Sequence, residues 1–252
     1  MKKFWTLLLR EVRGYFHSPI AYVVLVFFLF ISGINFAGFV VPYMNQRPME
    51  VSAEFLFFNW FMFWMPFVLI FPLITMRLFA EEFRQGTIEP LMTAPVRDLQ
   101  VVLAKFSGAF VFYIALWIPT LLYWILLQKI TNQAAPASTG QFWGPYLMLL
   151  LLGMFYISIG CFTSVLTSNQ IISAVISFVV ITALFLVGLI QYVLLGVSSG
   201  MRDALGYFSA IEHMGTYSRG IIDTRPIVFY FSMTAFMLVL TYQAFQSRKW
   251  RL

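Results

Sequence analysis

Six long apolar runs leave this chain few ways to fold. They cover roughly 20–41, 55–76, 101–127, 146–166, 171–195 and 227–245. Each is long enough to cross about 30 Å of hydrocarbon at about 1.5 Å per residue. A backbone inside lipid must satisfy its own hydrogen bonds, so runs of this length fold as helices. Charged residues make up only 10% of the 252 positions, against about 25% in an ordinary globular domain. No stretch is polar enough and long enough to form a separate soluble domain. The expectation is therefore an all-α, polytopic membrane protein, one domain over 1–252 with six spans. Pro66, Pro72 and Pro119 fall inside spans, where neighbouring helices tolerate a kink. Lys105, near the start of the third run, is placed to snorkel toward headgroups. The tetrapeptide TSNQ at 167–170 makes the fourth and fifth runs a tight hairpin. Gly160 with Ser164, and Ser173 with Ser177, are small residues spaced for close helix contact.

In such a chain the net charge of +6 reads as membrane topology and not as nucleic-acid affinity. With the N-terminus inside, the inner segments hold Lys2, Lys3, Arg10, Arg13, Arg77, Arg84, Arg97, Lys105, Arg248, Lys249 and Arg251. The outer ones hold Arg47, Lys129, Arg202, Arg219 and Arg225. The excess of basic residues inside places both termini in the cytoplasm. Cys161 is the only cysteine, which leaves no internal disulfide or thiolate metal cluster and suits a small buried hydrophobe. The N-terminal run is too long, and its polar leader too extended, for a cleavable signal peptide. Within residues 1–19, Trp5, Leu8, Leu9, Val12 and Phe16 share one helical face, and Thr6, Arg10, Arg13 and His17 an adjacent one. That pattern predicts an amphipathic helix lying in the membrane surface, ended where Pro19 opens the first span.

The segment 77–100 is charged, punctuated and set between two spans. Gly86 can end the helix that continues from the second span, Thr87 is placed as the next N-cap, and Glu89 sits in the first turn against the positive dipole end. Pro90 falls where a missing N–H costs little, and Pro95 stops the helix. A short helix over about 88–94 results, presenting Ile88, Leu91 and Met92 within a rim of Glu81, Glu82, Arg84, Arg97 and Asp98. A partner could grip such a shape; a solvated connecting loop is the plainer reading of the same residues.

The string RLFAEEFRQGTIEPLMTAPVRDLQVVLAKF resembles the hallmark segment of type-2 ATP-binding-cassette permeases. The matching residues are Glu81, Glu82, Gly86, Thr87, Glu89, Leu91, Thr93, Pro95 and Lys105. Glu11, Phe16, Ser18 and Pro19 match the family start. Ser209, His213, Ser218, Arg219, Gly220 and Asp223 resemble the end of the gliding-motility permease branch. Pro90 departs from the aliphatic residue usual there. The resemblance implies a type-V-exporter-like permease subunit in a bacterial cytoplasmic membrane. In it Glu81, Glu82, Arg84, Gly86, Thr87, Ile88, Glu89, Leu91, Met92, Thr93 and Pro95 form the contact with a separate cytoplasmic ATPase. It also implies a second permease copy or related membrane subunit, an auxiliary subunit, and a role in motility or secretion. Loop 196–226 becomes an outer gate of short re-entrant or interfacial helices, with Glu212, His213, Arg219 and Asp223 as its polar network.

The sequence carries no phosphate-cradling G-x-x-x-x-G-K-[ST] loop, so ATP and its magnesium would be bound on the partner ATPase and this chain would hold no cofactor. His17 and His213 fall on opposite sides of the membrane and share no metal. The spans contain Asn35, Asn59 and Gln191 but no Asp or Glu, which disfavours ion-driven carriers and intramembrane hydrolases. An ATPase-bound scaffold that moves no solute is the remaining alternative. The eight aromatics in 55–67 suit lipid contact or a bundle core.

Overall fold

The computed structural model describes residues 2–45, 53–88, 96–131, 138–193 and 206–249. The helices are α1 (Lys2–Phe16), α2 (Pro19–Asn45), α3 (Ala53–Asn59), α4 (Phe61–Thr75), α5 (Ala80–Gln85), α6 (Asp98–Trp117), α7 (Leu121–Thr131), α8 (Thr139–Leu166), α9 (Gln170–Val193), α10 (Ala210–Ser218) and α11 (Thr224–Lys249). There is no strand among the described residues. Six helical segments are long and apolar enough to cross a membrane: Pro19–Val40, Phe61–Gln85, Asp98–Ile130, Thr139–Leu166, Gln170–Ile190 and Thr224–Arg248. The protein is an all-α, multi-pass membrane protein.

The spans are apolar around their whole circumference, so packing alone decides which stripe turns inward. On α2 the stripe is Val24, Phe28, Ser32, Asn35 and Phe39, all buried, while Val23, Val26 and Phe30 face outward. The Asn35 amide donates to the Phe57 carbonyl at 3.1 Å, so a polar group at membrane depth is answered by backbone. At the centre runs α8, flanked by α4, α6, α9, α10 and α11 and the most buried of the six spans. Its glycines explain how neighbours come so close. A Cβ at Gly153 would enter the Tyr113 ring, and one at Gly160 would enter the Thr75 side chain. Small residues at such crossings let backbones approach and raise dispersion contact.

Two spans are interrupted. Residues 55–76 form two helices where the sequence suggested one. The chain is extended at Trp60 (φ −69, ψ 142), and the Asn59 amide donates back to the Phe55 carbonyl and across to Ser218 Oγ, which closes α3 before α4 begins. The third span passes through a single 3-10 turn at Ile118–Thr120 around Pro119. Thr120 Oγ1 donates to the Trp117 carbonyl at 2.7 Å and shares a hydrogen bond with Tyr146 Oη, which also accepts from Trp124 Nε1. The proline thus breaks the ladder where side chains can re-satisfy it. Of the aromatics in 55–67, Phe57, Phe58, Phe63, Trp64 and Phe67 join the core while Trp60 and Phe61 stay exposed.

Helix α1 and the last turns of α11 lie at one end of the bundle, called basal below. Arg248 near the end of α11 stacks 4.6 Å over the Phe83 ring and donates to the Leu166 carbonyl. On the same side Arg10 of α1 reaches Glu82. The opposite, distal end holds α3 and α10.

Candidate functional site

The basal site begins with a break in the second span. Helix α4 ends at Thr75, residues 76–79 turn, and α5 starts at Ala80. The first free N–H groups of a helix need acceptors, and Phe79, the N-cap residue, supplies no side-chain cap. Ser164 of α8 supplies the acceptor instead. Its Oγ takes the N–H groups of Phe79 at 3.0 Å and Ala80 at 3.1 Å and donates to the Met76 carbonyl at 3.3 Å. Gly160, one turn earlier on α8, leaves room for Thr75. The pair Gly160 and Ser164, legible in the sequence only as a packing face, therefore re-aims α5. At its other end α5 stops at Gly86, which has φ 68, the left-handed conformation that glycine adopts without steric cost.

Helix α5 carries its carboxylates into an ion network. Glu82 Oε1 lies 2.8 Å from Lys105 Nζ of α6 and 3.3 Å from Arg10 of α1. Lys105 also meets Glu11 of α1 at 3.4 Å, and Arg10 meets Glu11 at 2.7 Å. The lysine side chain is only 2% exposed, and its ammonium lies 5.4 Å from the centre of the Phe79 ring. This corrects the expectation that Lys105 snorkels toward headgroups. Gly108, one turn further along α6, lets Glu11 Cβ come within 2.7 Å of where a side chain would begin, so α1 lies across the lysine and its carboxylate replaces water. A buried cation is tolerable only when paired in this way. Nearby, Arg77 Nη1 donates to Ser18 Oγ at 2.9 Å, and its Nε lies 3.7 Å from Glu81, which also accepts from Gln85.

Helix α1 therefore has two working sides. Leu8, Glu11 and Tyr15 face the bundle. Tyr15 stacks on Phe112 of α6 at 5.0 Å and donates to the Ile74 carbonyl. Trp5, Leu9 and Phe16 remain exposed. The expected apolar face is split between these two, because the docking side includes a charged residue that amphipathicity alone assigns to solvent.

Of the residues singled out for partner contact, Arg84, Gly86 and Thr87 are exposed, Glu81 and Glu82 half-buried, and Ile88 buried. Glu89, Leu91, Met92, Thr93 and Pro95 lie outside the described residues, as does Pro90. Glu54, at the start of α3, is 1% exposed; sequence reasoning gave it no role, since it precedes the run assigned to the span.

At the distal end, Ser209 Oγ caps α10 by accepting from the Glu212 N–H at 3.3 Å and donates to the Gly188 carbonyl. His213 Nδ1 lies 3.2 Å from Tyr230 Oη. Arg219 sits 5.1 Å over the Phe55 ring. Asp223 accepts the Arg225 N–H through its carboxylate and the Tyr217 hydroxyl through its carbonyl. The partners of these residues are thus largely aromatic rings and backbone. Burial pushes the His213 imidazole below its ordinary range, although Glu212 and Asp223 pull the other way.

The fold is that of a multi-pass membrane protein, a helical bundle whose second span bends into a charged basal helix tied by ion pairs to α1 and α6. Residues 17–184 match the profile of the ABC-2 family transporter proteins. The match covers two-thirds of the 252-residue chain, and the chain belongs to that family as a transmembrane permease subunit of an ABC transporter. No curated protein shows significant similarity to it. The matched region contains Glu82 and Lys105 but neither Arg10 and Glu11 nor the distal 209–223 segment.

Proposed function

We propose that this chain is the permease half of an ATP-driven exporter, and that α5 with the segment after Gly86 receives force from a separate cytoplasmic ATPase. The observation that carries the reading is the Glu82–Lys105–Glu11 lock. It ties α5 to both α1 and α6, so a push on residues 81–88 moves three helices as one body rather than bending a loop. Rigid-body shifts of this kind are a common route for transmitting a switch. In this reading the basal end faces the cytoplasm, as the basic residues favour. The ATPase supplies ATP and magnesium chemistry, and this chain's residues act by contact. A second permease copy or related membrane subunit completes the pathway. The distal residues Glu212, His213, Arg219 and Asp223 then belong to an outer gate. Motility or secretion in a bacterium, with an auxiliary subunit, is the physiological role that best fits the resemblance carried by Ser209, His213, Ser218, Arg219, Gly220 and Asp223.

The test is co-purification with a Walker-motif ATPase followed by measurement of its turnover. Glu82→Lys and deletion of 86–95 are expected to lose the ATPase or uncouple it, while the permease still inserts. Full ATPase recovery and unchanged stimulation in both variants would overturn the proposal. So would labelling of residues 77–88 from outside intact cells by a reagent that cannot cross the bilayer.

A further inference from the structure

A cavity of about 300 Å³ opens at the basal end between α1, α2, α4–α5 and α6, at the lower bound of volumes that hold small ligands. It has two halves. Ile20, Ala21, Val24, Leu73 and Phe112 line one; Ser18, Arg77, Glu81 and Glu82 line the other. Two buried polar atoms in the polar half lack hydrogen-bond partners among the described residues, Arg77 Nε and Glu82 Oε2. Buried polar atoms are ordinarily satisfied, so the same cavity carries one acceptor without a hydrogen bond and one donor whose nearest anion, Glu81 at 3.7 Å, lies beyond hydrogen-bond distance. The lining sets Arg77 and Lys105 against Glu11, Glu81 and Glu82, and Arg10, outside the lining, pairs with Glu11 and Glu82 and brings the network to balance.

We propose that this cavity holds the headgroup of a phospholipid bearing a primary amine, a phosphatidylethanolamine. Its phosphate accepts from Arg77 Nε, its ammonium donates to Glu82 Oε2 and Glu81, and an acyl chain follows Leu73 and Val24 along the groove between α2 and α4. Charge balance selects the lipid class. A zwitterion keeps the site neutral, whereas an anionic phosphatidylglycerol adds a negative charge and offers Glu82 Oε2 only neutral hydroxyl donors in place of an ammonium. Phosphatidylcholine is also neutral, but its quaternary nitrogen has no N–H to give. Charge-assisted hydrogen bonds of this type are the strong ones. The proposal is independent of the ATPase-coupling reading, since it concerns binding to this chain alone.

The experiment is native mass spectrometry of the purified full chain, delipidated in detergent and offered equimolar phosphatidylethanolamine, phosphatidylglycerol and phosphatidylcholine. Phosphatidylethanolamine is expected to be retained about tenfold better than either competitor, the effect of one lost charge-assisted bond. Arg77→Gln is expected to lower its retention by about the same factor. Gly14→Leu is the steric counterpart: Gly14 lines the cavity, and a Cβ there meets nothing within 4 Å. That variant leaves every charge in place and is expected to reduce retention of all three lipids. Both variants should match the parent in helicity and monodispersity. Equal retention of the three lipids by the parent, or unchanged phosphatidylethanolamine retention in either variant, overturns the proposal.

Discussion

Replacing Lys105 by Met tests the basal lock directly. The lysine is 2% exposed, and its partners Glu11 and Glu82 are 14% and 19% exposed. Removing one member of a buried ion pair costs about 3–5 kcal/mol, because the remaining charge is left without compensation. Here Arg10 still reaches both carboxylates, but from a side chain that is 51% exposed. The lower part of that range, about 3 kcal/mol, is therefore expected for Lys105→Met. Adding Glu82→Gln removes the orphaned charge while keeping the Arg10–Glu11 pair, so the double variant should recover about 2 kcal/mol of the loss, within the coupling range of contacting groups. Equilibrium unfolding of the purified chain in mixed micelles, followed by circular dichroism, measures both numbers. A Lys105→Met variant within about 0.5 kcal/mol of the parent would place the site among ordinary surface positions and refute the reasoning, as would strict additivity in the double variant.

Ser164→Ala removes the acceptor for two N–H groups at the start of α5 and is expected to cost about 1 kcal/mol. Hydrogen exchange at Phe79 and Ala80 should accelerate, and unchanged protection there rejects the cap. Gly160→Val drives a side chain into Thr75 and displaces the same turn; a loss of about 1–3 kcal/mol should appear in the same unfolding assay, and a neutral result contradicts the close approach. His213 is held below its ordinary pKa by burial, so the unfolded chain binds its proton more readily than the folded one. Its contribution is present above about pH 6.5 and is lost as pH falls below that value toward the folded pKa. The acid limb of stability should be shallower in His213→Gln, and superimposable profiles would exclude the effect.

What the sequence disclosed and what it hid divide along one physical line. The spans were legible because lipid imposes length and apolarity on each segment by itself, and Gly86 was legible as a stop because a left-handed residue is a local requirement. Lateral contacts leave no such mark. Ser164 reads as a small packing residue until α4 is seen to break beside it, and Glu11 marks no more than a match to the family start until Gly108 brings α6 beneath it. Lys105 illustrates the difference best. A lysine near the start of an apolar run satisfies itself by reaching water, and nothing in its own helix argues otherwise. Its burial depends on two carboxylates, about 94 residues upstream and 23 upstream, on helices whose angles are set by a glycine and a serine elsewhere in the chain. The break at Trp60 was hidden for the same reason, since Asn59 closes α3 by donating to Ser218, 159 residues away. Segment-by-segment hydropathy therefore recovers the membrane crossings, while the charged lock that distinguishes this bundle exists only once three helices have met.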